Sequence, residues 1–300
     1  MKLTVFTPTY NREYIIPILY QSLLRQTSKN FEWLIVDDGS VDNTKELVQT
    51  WIDEAIIPIR YIYQENLGMV GAHNTAHHNI NTELNVCIDS DDFMPDNAIE
   101  TILTTWDANE TRSLMGMVGL DSYKNGDIIG SQFPENVKTA TFSELLFKYH
   151  LKGDKKYVLR TDLIKKHLPY PSVPNEKFPA PSYMYLILEQ DYNLLLLNEV
   201  LCIVEYLPDG NSMNKIKQIF KSPNAFALYR IARMKYPYNY KDKFKNAIHY
   251  VSNKLIGDKK GLLKDSPAKI TTILAFPFGF LFSLYLKKNY NKPLNKKLNK

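Results

Sequence analysis

The chain has 300 residues, of which 44% are hydrophobic and 23% charged, with a formal net charge of +5. These fractions are ordinary for a globular protein and exclude a disordered or low-complexity chain. Its two cysteines, Cys87 and Cys202, each sit inside an apolar run, which excludes a disulfide framework and a cysteine-built zinc site.

The elements alternate from the start. Leu3 to Phe6 predicts a strand, Ile15 to Leu24 a helix, Phe31 to Val36 a second strand and Asn43 to Ile52 a second helix. Ile59 to Tyr63 is a third strand, Met69 to Asn79 a third helix and Leu84 to Ile88 a strongly apolar fourth strand. Pro95 then opens a helix running to Thr105, proline being favoured in a first turn. Strand–helix repeats of this length imply a doubly wound, mostly parallel α/β sheet. Met1-Lys2-Leu3-Thr4-Val5 enters the first strand without the apolar core of a secretory leader, so a cytoplasmic location is expected.

From Met115 onward the pattern is less regular. Met115 to Leu120, Leu194 to Leu197 and Cys202 to Tyr206 predict strands. Pro169, Pro171, Pro174 and Pro179 stiffen a surface loop between them, which is expected near an acceptor. After about Met213 the composition turns to lysine, tyrosine and asparagine, with helices expected over Ile216 to Tyr236 and Lys241 to Leu255. The expected division is a catalytic domain over 1–213, with halves 1–105 and 106–213, and a helical extension over 214–300.

Residues 270–286 form an almost unbroken apolar run interrupted by Pro277 and Gly279. As a helix it reaches about 25 Å, short of the ~30 Å of a hydrocarbon core. From Lys287 to Lys300 there are six lysines and no acid. An apolar run followed by a basic tail predicts an anchor on an anionic membrane surface, the alternative being a core helix. The lysines form no face on a recognisable nucleic-acid module, so a nucleic-acid partner is not expected.

Three polar motifs fall where predicted strands end. Thr7-Pro8-Thr9-Tyr10-Asn11 follows the first strand, Asp37-Asp38-Gly39-Ser40 the second and Asp89-Ser90-Asp91-Asp92 the fourth. In doubly wound sheets ligands bind outside these carboxyl ends. If extended geometry persists beyond the fourth strand, Asp89 and Asp91 face one site. Paired carboxylates suit a ribose hydroxyl and a magnesium or manganese ion on a diphosphate. A carboxylate of Asp37 or Asp38 can accept the imide proton of uracil or bind ribose, although Asp-Gly is also a common turn.

In this order and spacing the motifs closely resemble the family-2 glycosyltransferases of the GT-A fold, of the bacterial capsule and exopolysaccharide type. The resemblance extends through Glu65-Asn66-Leu67-Gly68 and Ala72-His73-Asn74 and is strong over residues 1 to 105. It thins through Gly153-Asp154-Lys155 and Asn198-Glu199 to Asp209-Gly210. It implies a GT-A-type sheet with a C-terminal helical extension, an inverting metal-dependent transfer from a nucleotide-sugar, here a UDP-sugar, and a lipid-linked or polysaccharide acceptor. By resemblance, Pro8, Thr9, Tyr10 and Asp38, or its neighbour Asp37, hold the nucleoside and Asn66 lies against base or ribose. His73 stands where relatives place an arginine near the diphosphate. Asp89 and Ser90 contact ribose, and Asp91 binds Mn²⁺ or Mg²⁺.

Inverting transfer needs a carboxylate base for the acceptor hydroxyl. Relatives place it in an acidic pair at a helix start, and no such pair occurs in Glu176-Lys177-Phe178-Pro179-Ala180-Pro181-Ser182. Glu176 is the nearest carboxylate and the expected base, with Asp191 further along. Two other readings compete: a non-catalytic nucleotide-sugar-binding partner of another transferase, and a metal-dependent phosphohydrolase; a homo- or hetero-oligomer is open in each case. The second would want an aspartate directly after the first strand, where Thr7-Pro8-Thr9 stands.

Overall fold

The computed structural model describes residues 1–176, 182–205 and 215–290. Pro179, the segment from Tyr206 to Gly210 and the last four lysines lie outside the described residues. The described chain divides into two units. Residues 1–170 and 184–205 make the first; 171–176, 182–183 and 215–290 make the second. The proline loop's residues 171–176 thus group with the C-terminal helices.

The first unit is built on one sheet of eight strands: β1 Leu3–Thr9, β2 Phe31–Asp37, β3 Ile59–Tyr63, β4 Leu84–Cys87, β5 Leu114–Ser122, β6 Thr139–Ala140, β7 Lys155–Arg160 and β8 Asn193–Ile203. Their spatial order is β3-β2-β1-β4-β7-β5-β8-β6. β7 and β6 run against their neighbours and the other six run one way, which gives the expected mostly parallel α/β sheet. The helices are α1 Ile16–Leu24, α2 Thr44–Glu54, α3 Gly68–Asn79, α4 Ala98–Asn109, α5 Phe142–Phe147, α6 Thr161–Lys165 and α7 Ser182–Leu188.

Alternation along the central strands divides the core. Leu3, Val5, Trp33 and Ile35 pack with α1, α2 and α4 residues such as Leu19, Trp51 and Ile102. Phe6, Leu34 and Val36 point the other way, onto Ala72, Ala76 and Ile80. Burial on both faces is why these strands read as continuous apolar runs. Pro95 stands three residues before α4, its carbonyl accepting from Ala98 in a turn, so it precedes the helix and does not open it. The two expected strands after Leu194 are one, β8, with register shifts against β5 that absorb the polar Asn198-Glu199.

The second unit holds α8 Lys215–Lys221, α9 Pro223–Lys235, α10 Tyr240–Ile256 and α11 Lys269–Tyr290. The single helix expected over 216–236 is broken at Ser222, because Pro223 lacks an N–H and opens a new helix instead. Ala227, Met234, Ala247, Tyr250, Val251 and Ala275 form its core. A buried Arg233–Asp242 pair at 3.0 Å ties α9 to α10.

Candidate active site

The ends of β1, β2 and β4 lie level at one edge of the sheet. Thr9 pairs with Asp37, and the Asp38 N–H donates to the Thr9 carbonyl at 2.8 Å. Beyond β1, Asn11 adopts a left-handed conformation, φ 53°. Its N–H donates to Ser40 Oγ at 2.8 Å, and its amide oxygen accepts from the Val41 N–H at 2.8 Å. The Glu13 N–H donates to Asp42 at 3.1 Å, and Asn43 donates back to the Glu13 carboxylate. The first two motifs are therefore one structure, each loop holding the other.

Asp37 is completely buried. Its carboxylate accepts from the Tyr61 hydroxyl at 2.5 Å and from the Ser40 N–H at 2.8 Å. Burial, and then that carboxylate, push the Tyr61 phenol far above its ordinary value. Asp37 therefore shapes the turn. Asp38 accepts from the N–H groups of Leu67 and Gly68, both at 2.8 Å, and from Gln64 at 2.7 Å, fixing the loop that enters α3. Gly39, at φ +88°, lets Asn66 come close: a Cβ there would stand 3.0 Å from the Asn66 nitrogen. Pro8 is half-buried and Tyr10 exposed. The Thr9 hydroxyl is buried with no hydrogen-bond partner among the described residues, a donor and acceptor held ready at the strand end.

At the end of β4 the chain does not stay extended. It turns, the Asp92 N–H donating to the Asp89 carbonyl at 3.0 Å. Asp89 is exposed, Ser90 buried, Asp91 half-buried and Asp92 buried. Asp89 and Asp91 are thus neighbours across a turn and not two positions of one strand face.

Beneath this turn lies a group that the sequence reading missed. Because β7 runs antiparallel, its first residues reach the same edge as the ends of β4 and β5. Lys156 lies 3.7 Å from Asp92, and Asp121 from the end of β5 and Cys202 from β8 face it as well. Burial opposes the lysine's charge, but Cys202 and the carboxylates of Asp121, Asp92 and Asp89 outweigh it and hold the ammonium protonated. Burial pushes the Asp92 carboxyl up to about 7 against the pull of Lys156. Asp121 directly follows an apolar run, the same signal that marked the other motifs. Nothing in the sequence announces that Lys156 meets it.

His73 is buried between Phe6, His77 and Tyr170, with Cys87 Sγ 3.9 Å from Nε2. Burial pushes its pKa down, as it does for His77, to about 3 there. Burial thus favours the uncharged imidazole at this position.

Glu176 belongs to the second unit, where its carboxylate caps α9, accepting from the Asn224 N–H and side-chain amide and from the Ala225 N–H at 2.6 Å. Asp191 precedes β8, whose start pairs with the start of β5. It therefore sits at the amino edge of the sheet, opposite the motifs.

The carboxyl edge fits a magnesium or manganese ion. Asp91 and Asp89 bring carboxylate oxygens to it, the donor type these ions take. Among the described residues no three His, Cys, Asp or Glu side chains gather to hold an ion by themselves. That is the donor set expected where substrate phosphates complete the shell.

Residues 4–167 match the glycosyl transferase family 2 profile. The Escherichia coli UDP-Glc:alpha-D-GlcNAc-diphosphoundecaprenol beta-1,3-glucosyltransferase WfgD is 27% identical over 243 residues, 79% of this chain and 91% of WfgD. Glycosyltransferase GlyA of Streptococcus pneumoniae is 30% identical over 156 residues, 52% of this chain but only 20% of GlyA. The crystal structure of S. aureus TarS 1-349 aligns over 97% of this chain and 91% of its own with a TM-score of 0.64 at 17% identity. A Pyrobaculum calidifontis mannosyltransferase, PcManGT, aligns over 97% of this chain and 81% of its own with a TM-score of 0.51 at 18% identity. These structural likenesses establish a shared GT-A fold.

Proposed function

The chain belongs to glycosyl transferase family 2, and on that premise we propose that it moves a hexosyl or N-acetylhexosaminyl unit from a UDP-sugar to a hydroxyl of a lipid-linked or polysaccharide acceptor. The setting is the assembly of a cell-surface polysaccharide at the inner face of the cell membrane. The observation that carries the reading is the convergence of Thr9, Asp38, Asn66, Asp89 and Asp91 on one sheet edge. WfgD is named for a UDP-glucose donor and a lipid-diphosphate acceptor, and S. aureus TarS has been solved with UDP-GlcNAc. Both support the choice of donor.

Thr9 and the loop fixed by Asp38 receive the nucleoside, with Asn66 beside it and Asp89 on a ribose hydroxyl. Asp91 would hold the divalent cation, which when bound neutralises charge on the leaving diphosphate. The acceptor hydroxyl gives its proton to a general base as its oxygen forms the bond to the anomeric carbon and the carbon–phosphate oxygen bond breaks, with inversion; the diphosphate leaves with the electron pair. Lys156 stays protonated beneath the turn and holds Asp92 and Asp121 in place below Asp89 and Asp91.

Calorimetry with UDP-glucose, UDP-GlcNAc, UDP-galactose and GDP-mannose tests the donor. The expected outcome is saturable binding of one UDP-sugar, strengthened by Mn²⁺, with a matching rise in thermal stability. Folded protein that binds none of them contradicts the reading.

A further inference from the structure

The last helix is arranged inside out. On α11 the buried positions are Thr271, Thr272, Ala275, Gly279, Ser283 and Leu286, nearly all small or polar. Thr271, Ala275, Gly279 and Ser283 recur every four residues and let the backbone close on α10. A Cβ on Gly279 would stand 2.5 Å from the Val251 side chain and 2.8 Å from the Ile248 carbonyl oxygen. Most of the large apolar side chains point away. Ile270 is 77% exposed and Leu281 62%, and Ile273, Leu274, Phe278 and Tyr285 each exceed half. An ordinary surface helix buries its large apolar face. This one buries its small face and leaves the large one to solvent.

Charge says what covers that face. From Ser266 to Lys300 the sequence carries seven lysines and no acidic residue. Lys269 opens the helix, and Lys287 and Lys288 fall in its last turn. An apolar face bracketed by cations complements an anionic lipid surface, an attraction that nearby lysines strengthen. The packing also fixes the mode. α11 is long and apolar enough to cross a membrane by length and composition. It is, however, held along α10 through Phe278 on Phe244, Gly279 on Val251 and Phe282 on His249. α10 carries Lys241, Asp242, Lys243, Lys245 and Lys254. Spanning would draw those charges into hydrocarbon, which opposes it.

We infer that α11 docks in the plane of an anionic membrane, its outer face inserted among the acyl chains and its inner face still on α10. The inference rests on the membrane setting proposed above but not on the chemistry at the sheet edge.

The test uses the full chain with sedimentation on phosphatidylglycerol-containing and on pure phosphatidylcholine vesicles. The wild type should bind the anionic vesicles. The double variant Leu274→Asp/Leu281→Asp should bind them about tenfold or more weakly, with unchanged turnover of a soluble acceptor. Single cysteines at Lys269 and Lys288, in a background without Cys87 and Cys202, should both be labelled by an impermeant maleimide from outside sealed vesicles. Equal binding by the double variant, or no binding by the wild type, would overturn the proposal. So would labels on opposite sides, or a wild-type dimer that the double variant converts to monomer. Lost docking with intact soluble-acceptor turnover leaves the transferase reading standing, and the reverse result separates the two failures equally well.

Discussion

Lys156 is the residue on which the acidic edge depends. It is one buried cation against Asp92 and Asp121, with Asp89 close by. Removing one member of a buried ionic group leaves the others uncompensated, which costs more than the group's net contribution. Lys156→Met should therefore destabilise the protein by about 3 kcal/mol in urea unfolding, and adding Asp92→Asn should recover a large part of that. A Lys156→Met variant as stable as the wild type would show that the cluster is not coupled in this way. At this scale the sequence was a partial guide. The motif residues are where the pattern put them, yet Asp37 turned out to be fully buried and His73 a packed neutral ring. A sequence shows which carboxylates end a strand. It does not show which of them the neighbouring backbone N–H groups will occupy.

Between elements, β1 and α3 trap two imidazoles in an apolar layer. His73 and His77 lie against Phe6, and His77 stacks on Tyr170 with ring centroids 5.6 Å apart. Burial lowers both pKa values, His77 to about 3. The unfolded imidazoles titrate near 6.5, so below that pH the unfolded state binds more protons than the native state. Their stabilisation is complete above about pH 6.5 and is lost as the pH falls toward 4. His77→Phe keeps the ring and removes the titration, so its urea midpoint should fall less than the wild type's between pH 7.5 and 4.5. Parallel declines would mean that His77 carries no part of the acid sensitivity. The first four strand–helix pairs were legible because both-face burial and helical spacing leave distinct periods. β7 was not: its antiparallel insertion between β4 and β5 is a long-range pairing with no local signature. The break at Ser222-Pro223 was legible in principle, since proline is a poor interior residue and a good first one.

At the scale of the whole molecule, one unit carries an acidic sheet edge and the other ends in a helix with an exposed apolar face. The edge follows from the doubly wound topology, in which every parallel strand delivers its carboxyl end to one side. The apolar face follows from small residues at every fourth position of α11. The run 270–286 and the lysines after it were visible in the sequence. Which side of the helix faced out depended on α10 and so was not.

The most direct test of the central claim is acceptor-dependent sugar transfer, followed by mass spectrometry with a lipid-diphosphate glycan and the UDP-sugar that binds in calorimetry. The wild type should add one sugar and release UDP in the presence of Mn²⁺. Asp91→Asn should remain folded and lose about 100-fold or more of that rate. Asp91→Asn turning over at the wild-type rate would contradict the assignment of the carboxyl edge as the donor site.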